Sequence, residues 1–156
     1  MLDEGVMERD EVLYRERFRI QGNDFERGGE VATHVKGLLK EFHLHPDIVR
    51  RLSIANFEAE MNVVMYAREA ELELLLYPHV VRVVVTDRGA GIADIDWAMQ
   101  EGHSTATAEM RARGFGAGLG LPNIRRNTDE FSIESTLGVG TTLRYAVFTD
   151  RPRDAS

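Results

Sequence analysis

The sequence predicts an α/β (α+β) fold of two layers, in which helices cover one face of a mixed β-sheet. Apolar and charged residues alternate over residues 14–20, which is the period of a strand with one buried face. Over residues 31–42 the apolar side chains recur at the spacing of an amphipathic helix. Residues 80–86 are apolar enough to form a central strand. With 156 residues, these elements share about one domain and one core.

The N-terminal part of the chain predicts one strand, two helices and two further strands. Asn23 and Asp24 are candidate N-caps of the first helix, while Pro46 and Asp47 mark the start of the second. Turn residues at 77–79 separate the last two strands. The predicted boundaries are an edge strand at 14–20, helices ending near 43 and 67, and strands at 71–76 and 80–86.

The C-terminal part predicts a short helix, a long loop, a second helix and a hairpin. The loop at 102–118 mixes Gly, Ser, Thr and Ala without a steady period, as is typical of a lid. Pro122 either restricts the start of the next helix to about Leu121 or lies in an adapted first turn. The predicted boundaries are helices at 92–101 and 119–128, and strands at 131–135 and 141–148 with a turn at 137–140. The chain divides into a flexible extension at 1–11, a domain at 12–149 and a tail at 150–156.

The composition is that of an ordinary globular protein and excludes several classes. A net charge of −7 and a pI near 5.2 argue against direct nucleic-acid binding through bulk electrostatics. The absence of cysteine excludes disulfides and thiolate chemistry. No apolar stretch is long enough to span a membrane, and the N-terminus lacks a signal-peptide core. We therefore expect a cytoplasmic domain without a membrane partner.

The second predicted helix carries the first candidate site. Glu58, Asn62 and Tyr66 are spaced at i, i+4 and i+8, so they lie along one stripe among apolar neighbours. In one interpretation Glu58 and Glu60 simply point to solvent. In the other, Asn62 is a ligand of Mg²⁺ that a nucleotide also coordinates, and Glu58 is a general base.

The stretch DRGAGI, residues 87–92, follows the predicted central strand. Gly89 and Gly91 permit positive φ and a close approach of a ligand to the backbone. Asp87 has a carboxylate that can accept a hydrogen bond from the exocyclic amine of adenine. A simple strand-ending turn explains the same residues, so both interpretations stay open.

Glycines run directly into the helix after the predicted lid, at Gly114, Gly116, Gly118 and Gly120. Free N–H groups at a helix start suit phosphate. Arg111 and Arg113 either contact a terminal phosphate or are simply solvated. The spacing matches neither a Walker A loop nor a Rossmann fingerprint. A flexible hinge is the alternative. Thr141, at the start of the last strand, either joins Asp87 at the adenine through water or is simply a β-former.

Four motifs in this order resemble a known family. The segment from Glu58 to Ala67 resembles its N-box, and Asp87 to Gly91 its first glycine box. The segment GAGLGL at 116–121 resembles its second glycine box, and Gly140-Thr141-Thr142 the final adenine-side threonine. The motifs are those of the Bergerat-fold (GHKL) ATPase superfamily of gyrase, histidine kinases and MutL. Over about residues 12–149 the chain most resembles the anti-sigma-factor serine/threonine kinases.

This resemblance implies a Bergerat ATP-binding fold and the cofactors ATP or ADP with Mg²⁺. It implies that Asn62 holds the metal, that Asp87 reads the adenine amine and that Glu58 is the catalytic base. The implied nucleotide site also includes Gly89, Gly91, Ile92, Arg113, Gly116, Gly118, Leu119, Gly120 and Thr141. The implied substrate is a serine or threonine of a STAS-type anti-anti-sigma protein, with a sigma factor as a further partner and a homodimer left open. Tyr66 stands where many relatives carry His.

Two other functions remain compatible with the same motifs. A histidine-kinase-like ATPase module is disfavoured because no helical hairpin with a phospho-acceptor histidine precedes residue 14. A non-catalytic adapter would bind ATP or ADP and switch a partner by differential affinity. Nucleotide-binding residues are common to all three classes, so the fold alone does not determine the reaction.

Overall fold

The computed structural model describes residues 11–100 and 120–150. We number the elements in chain order, and a 3₁₀ turn at Phe25–Arg27 precedes the first helix. The elements are β1 Tyr14–Gln21, α1 Glu30–Glu41, α2 Pro46–Tyr66, β2 Ala67–Leu76, β3 Val80–Gly89, α3 Ile95–Ala98, α4 Gly120–Arg126, β4 Glu130–Thr136 and β5 Gly140–Phe148. No helix within these ranges is long and apolar enough to cross a membrane.

The strands form one sheet in the order β1-β2-β3-β5-β4, and each neighbouring pair is antiparallel. The predicted mixed sheet is therefore wrong for the described residues. The connection from β3 through α4 does bring β4 back parallel to β3, as a helical crossover does. Because β5 returns by a tight hairpin and inserts between these two strands, the parallel strands are never neighbours.

Helices cover one face of this sheet, so the two-layer α/β fold is confirmed. The central helix α2 packs on the strands, with α1 on one side and α4 on the other. Phe18 and Ile20 of β1 face this helical layer and join the core. On the opposite face, Arg17 and Arg19 lie over glutamates of β2 instead. The alternation in β1 thus separates the core from solvent, as its period requires.

The start of the first helix differs from the prediction. Asn23 and Asp24 were expected to cap it, but α1 begins at Glu30 after Gly29, whose φ is 98°. The cap is supplied from another helix: Glu60 of α2 accepts hydrogen bonds from Val31 N–H (3.2 Å) and Ala32 N–H (2.8 Å). Glu60 is only 2% exposed, so the interpretation that it points to solvent is wrong. A buried carboxylate here compensates free N–H groups at a helix start.

Most other elements lie where the sequence predicts them, with shifted ends. Strand β2 begins at Ala67 directly after α2, four residues before the predicted start at 71. Strand β3 continues to Gly89, so Asp87 lies inside the strand and not in a turn that follows it. The helix predicted at 92–101 is shortened to α3, where Asp94 caps Trp97 N–H at 2.9 Å. The predicted lid at 102–118 and both terminal segments lie largely outside the described residues, so those domain boundaries stay predictions.

Candidate functional site

Helix α2 directs Glu58 and Asn62 towards α4, the helix that follows the glycine-rich segment. The amide Nδ2 of Asn123 in α4 donates a hydrogen bond to Glu58 Oε2 at 3.0 Å. One turn further along α2, Asn62 Oδ1 lies 3.0 Å from the position that a Cβ on Gly120 would occupy. Both α2 side chains are half-buried. The two polar residues predicted on one stripe therefore meet the same partner helix.

The orientation of Asn123 is fixed by its neighbours. Arg126 Nη2 donates to Asn123 Oδ1 at 3.0 Å, so the donor end of the amide is left to face Glu58. The opposite amide orientation would place an oxygen against a carboxylate and a donor against a guanidinium. Asn123 is a residue that the sequence analysis missed, because an Asn within a helix has no distinctive pattern.

A buried arginine holds the far end of α4 against α2. Arg51 is 1% exposed, and its Nη2 lies 2.8 Å from Asp129 Oδ1. Its Nε donates to the carbonyl oxygen of Asn127 at 3.2 Å. Helix α4 is thus held at both ends, through Gly120 at its start and through these two residues just after its last turn. Only the arginine of this pair is buried, so the carboxylate of Asp129 and the carbonyl oxygen of Asn127 compensate its charge where α4 ends.

The end of α2 leads from Asn62 to the sheet. Tyr66, its last residue, is 41% exposed, and its carbonyl oxygen lies 3.3 Å from where a Cβ on Gly89 would stand. Asn62 precedes Tyr66 by four residues, about 6 Å along a helix. The α2–α4 contact therefore adjoins the part of β3 that carries Asp87.

Asp87 is held from the last strand. Its Oδ1 accepts a hydrogen bond from Thr141 N–H at 3.0 Å, and Oδ2 makes no hydrogen bond within the described residues. Gly140 makes this approach feasible, since a Cβ there would lie 2.1 Å from the carbonyl oxygen of Asp87. Burial raises the pKa of Asp87, and the Thr141 N–H partly opposes that rise. One carboxylate oxygen is therefore fixed while the other remains an acceptor.

Ser135 connects the stretch DRGAGI to the hairpin. Its Oγ accepts a hydrogen bond from Ile92 N–H at 2.7 Å and lies 2.8 Å from Thr141 Oγ1. The sequence analysis missed Ser135 as a site residue. The signal was present in the predicted turn at 137–140, because that hairpin places Ser135 directly opposite Thr141. Asp87, Thr141, Ser135 and Ile92 thus form one continuous hydrogen-bonded cluster.

The two glycines of the stretch act differently from one another. Gly91 has φ 80°, and a Cβ there would lie 2.5 Å from the carbonyl oxygen of Thr136. Gly89 does not use the positive φ that a glycine permits, because it is a residue of β3 paired with Ala67. A Cβ on Gly89 would lie 3.1 Å from Ala67 Cα, so this glycine serves close packing between the strand and the end of α2.

Several predicted site residues cannot be placed, because Arg113, Gly116, Gly118 and Leu119 lie outside the described residues. Within the described ranges no group of three or more His, Cys, Asp or Glu could hold a metal ion. A nucleotide-bound Mg²⁺ needs only one or two protein oxygens. Asn62 fits that requirement, because its side chain makes no hydrogen bond to any described residue and its Oδ1 lies beside Gly120.

Sequence comparison identifies relatives over about 60% of the chain, although no protein-family model matches it. It is 31% identical over 98 residues to "Serine/threonine-protein kinase RsbT" of Bacillus subtilis (strain 168), covering 60% of this chain and 68% of that protein. It is also 31% identical over 101 residues to "Anti-sigma F factor" of Caldanaerobacter subterraneus subsp. tengcongensis, covering 62% and 67%.

Structure comparison supports the same fold over nearly the whole chain. A chain of the crystal structure of the SiaB–SiaC complex from Pseudomonas aeruginosa superposes with a TM-score of 0.59 and 17% identity. The superposition covers 94% of this chain and 98% of that one, and it establishes the fold alone. The sequence relatives carry the family assignment. The chain therefore belongs to the family of RsbT and the anti-sigma F factors, the anti-sigma-factor serine/threonine kinases.

Proposed function

We propose that the chain binds Mg-ATP and transfers the γ-phosphate to a serine or threonine of a STAS-type regulatory protein in the cytoplasm. One observation carries this proposal above the others. The helix with Glu58 and Asn62 packs on the helix after the glycine-rich segment and ends beside the strand that carries Asp87. The candidate base, metal ligand and adenine acceptor therefore lie on elements that contact one another, which supports this proposal.

At the adenine end of the proposed site, Asp87 selects the nucleobase. Its fixed Oδ1 and its open Oδ2 suit the exocyclic amine of adenine, which guanine lacks at the corresponding position. Thr141 and Ser135 support the carboxylate by their hydrogen bonds. Gly91 and Ile92 border the same cluster through their backbone. Hydrogen bonds within the protein hold this end of the proposed site.

At the phosphate end, Asn62 and Glu58 have different roles, metal binding and proton transfer. Asn62 Oδ1 holds Mg²⁺, and the ion when bound supplies neutralisation of phosphate charge. Glu58 accepts the proton of the attacking hydroxyl through Oε1, since Asn123 occupies Oε2. Phosphoryl transfer requires mainly positioning and charge neutralisation, and this pair supplies both. Arg113, Gly116, Gly118, Leu119 and Gly120 complete the phosphate side in this proposal.

The partner class follows from the relatives. One relative is named a serine/threonine-protein kinase, others are named anti-sigma F factors, and the structural neighbour belongs to a two-protein complex. These names support a protein partner, and the family resemblance implies a STAS-type regulatory protein as the substrate. A sigma factor is a second proposed partner. In this proposal the bound nucleotide also regulates affinity for the partner, because ATP and ADP favour different states of the chain.

The test uses ATP labelled at the γ-phosphate, MgCl₂ and the STAS-domain proteins of the source organism. Wild-type chain should label one of them on serine or threonine. Glu58→Gln should lower the rate by about 10²- to 10⁴-fold, as loss of a general base does, while ATP binding is retained. Glu71→Gln, an exposed acid on the other face of the sheet, is the matched control and should leave the rate unchanged.

Other results would replace the proposal. ATP binding without any labelled protein would favour the non-catalytic adapter. Steady release of free phosphate in the absence of a partner would favour an ATPase. Label on histidine, which acid treatment removes, would favour the histidine-kinase class.

A further inference from the structure

A groove of about 840 Å³ runs between α1 and α2 and reaches Glu58. Its walls include Lys36 and Lys40 from α1 and Arg50 from α2. Leu44 and Phe57 give it an apolar portion, and Phe57 is 42% exposed directly before the proposed base. The groove is therefore open and partly apolar, and its lining includes three cationic side chains together with the proposed catalytic carboxylate.

The charge of this groove is unusual for the chain. Lys36 and Lys40 are the two lysines of the whole sequence, in a protein of net charge −7, and both line the same groove. They stand at i and i+4 on α1, a spacing at which like charges repel. Neither makes a hydrogen bond or an ion pair with any described residue. Arg50, in contrast, is paired with Asp47 at 2.7 Å.

Arg17 and Arg19 on the sheet, unlike the two lysines, are paired with carboxylates. Arg17 Nε lies 3.1 Å from Glu73 Oε2, and Arg19 Nη2 lies 2.6 Å from Glu69 Oε1. Among residues 11–100 and 120–150 the two lysines have no such partner, although acidic residues outnumber basic ones in the full sequence, 26 to 19. Unneutralised positive charge beside an exposed aromatic ring is typical of a surface that receives an acidic segment.

We propose that this groove docks the segment of the partner protein that carries the acceptor serine or threonine, and that it selects segments with acidic residues. This proposal rests on the proposed function of Glu58, because Glu58 is one of the residues that line the groove. Carboxylates of the segment pair with Lys36 and Lys40, and an apolar side chain packs on Phe57. The acceptor hydroxyl then lies beside Glu58. The groove thereby selects the protein substrate, whereas Asp87 selects the nucleotide.

The acetylation rate of the lysines tests the docking directly, because Lys36 and Lys40 carry the only two lysine ε-amines of the sequence. The full chain is treated with the N-hydroxysuccinimide ester of acetic acid, with Mg²⁺ and a non-hydrolysable ATP analogue, alone or with each STAS-domain protein. Mass spectrometry should show that one partner slows modification of both Lys36 and Lys40. Acetylation of the N-terminal amine serves as the internal standard. Both lysines reacting at the same rate with every partner would overturn the proposal, as would lysines already unreactive in the free chain.

Charge reversal tests whether the groove selects the substrate. Lys36→Glu/Lys40→Glu should raise the KM for the protein substrate about tenfold or more, with less change in kcat and in ATP affinity. The effect should diminish in high salt, because exposed charges are screened. Arg15→Glu/Arg19→Glu on β1 changes the net charge equally and is the matched control.

The two proposals fail in different ways. Phosphate transfer with an unchanged KM in the lysine variant would overturn the groove and leave the kinase proposal standing. Partner protection of both lysines without any phosphate transfer would support the groove and overturn the kinase proposal. A wild-type chain that binds no STAS-domain protein would overturn both.

Discussion

Asn123 Nδ2 donates a hydrogen bond to Glu58 Oε2 at 3.0 Å, and this bond joins the helix after the glycine-rich segment to the helix with the proposed base. Arg126 holds the other end of the amide. Any shift of α4 is therefore transmitted to the carboxylate that receives the proton. Asn123 is a positioning residue in this account, since it acts through Glu58.

Removing this bond should slow transfer without weakening nucleotide binding. We expect Asn123→Ala to lower kcat about tenfold, the value of one lost hydrogen bond to a charged group, with the Kd for ATP unchanged. Asn123→Asp should be worse, because it replaces a donor by a second carboxylate. Initial rates and ATP titrations measure the two effects separately. Arg125→Ala, an exposed change in the same helix, is the control. Equal losses in kcat and ATP affinity would contradict a positioning role.

Gly120 should be required for the placement of Asn62. A Cβ at residue 120 would lie 3.0 Å from Asn62 Oδ1, tighter than ordinary contact, so Gly120→Ala should displace the proposed metal ligand. We expect the Mg²⁺ concentration needed for half-maximal ATP binding to rise severalfold. This rise corresponds to a loss of about 1 kcal/mol in the free energy of Mg²⁺ binding. Titration of Mg²⁺ at fixed ATP measures it.

Gly37→Ala is the matched control for that change. It lies within α1 with nothing within 4 Å of the added Cβ. Alanine there should stabilise the chain by about 0.5–1 kcal/mol and leave Mg²⁺ dependence unchanged. If both alanine variants behave alike in the Mg²⁺ titration, Asn62 does not hold the metal.

Asp87 should determine which nucleobase is bound and how ATP affinity depends on pH. Asp87→Asn replaces an acceptor by an amide with a donor, and we expect ATP affinity to fall about ten- to a hundredfold. Burial raises the pKa of Asp87, and the acceptor form is the ionised one. ATP affinity of the wild type should therefore fall as the pH falls through that raised pKa, above the range of an exposed aspartate. Calorimetric titrations between pH 4 and 7 measure both. Asp96→Asn, an exposed acid in α3, should have no effect.

The sequence predicts this fold well where one segment decides its own structure. The alternation in β1, the start of α2 at Pro46 and the hairpin of β4 and β5 depend on local periodicity and turn residues, and the structure has all three. Local pattern also predicts Glu58 and Asn62 on one stripe, because helical geometry determines that spacing.

The sequence does not predict features in which distant segments complete one another. The cap of α1 comes from Glu60, 28 residues after Ala32, so the local candidates Asn23 and Asp24 were the wrong choice. The burial of Glu60 could not be predicted for the same reason, because its partners Val31 and Ala32 are distant in the sequence. Sheet order likewise depends on where β5 inserts, which periodicity does not encode. Asn123 and Ser135 gain their roles only through tertiary contacts.

Glu60 should make the stability of the chain depend on pH. Burial raises the pKa of Glu60, and the backbone N–H groups of Ala32 and Val31 oppose that rise only in part. A raised folded-state pKa gives stability that is fully present below the unfolded-state pKa and is lost as the pH rises through the folded-state pKa. Glu60→Gln removes this titration. Urea unfolding from pH 4 to 8 should show a smaller decline with rising pH for Glu60→Gln than for wild type. Parallel curves would contradict the assignment.

The central claim is that the α2–α4 contact and the Asp87 cluster form the two ends of one Mg-ATP site. A crystal structure of the chain with Mg²⁺ and a non-hydrolysable ATP analogue tests it most directly. We expect the adenine amine at Asp87 Oδ2, the metal at Asn62 Oδ1 and the γ-phosphate facing Glu58. A nucleotide bound elsewhere, or one whose metal does not touch Asn62, would contradict the account.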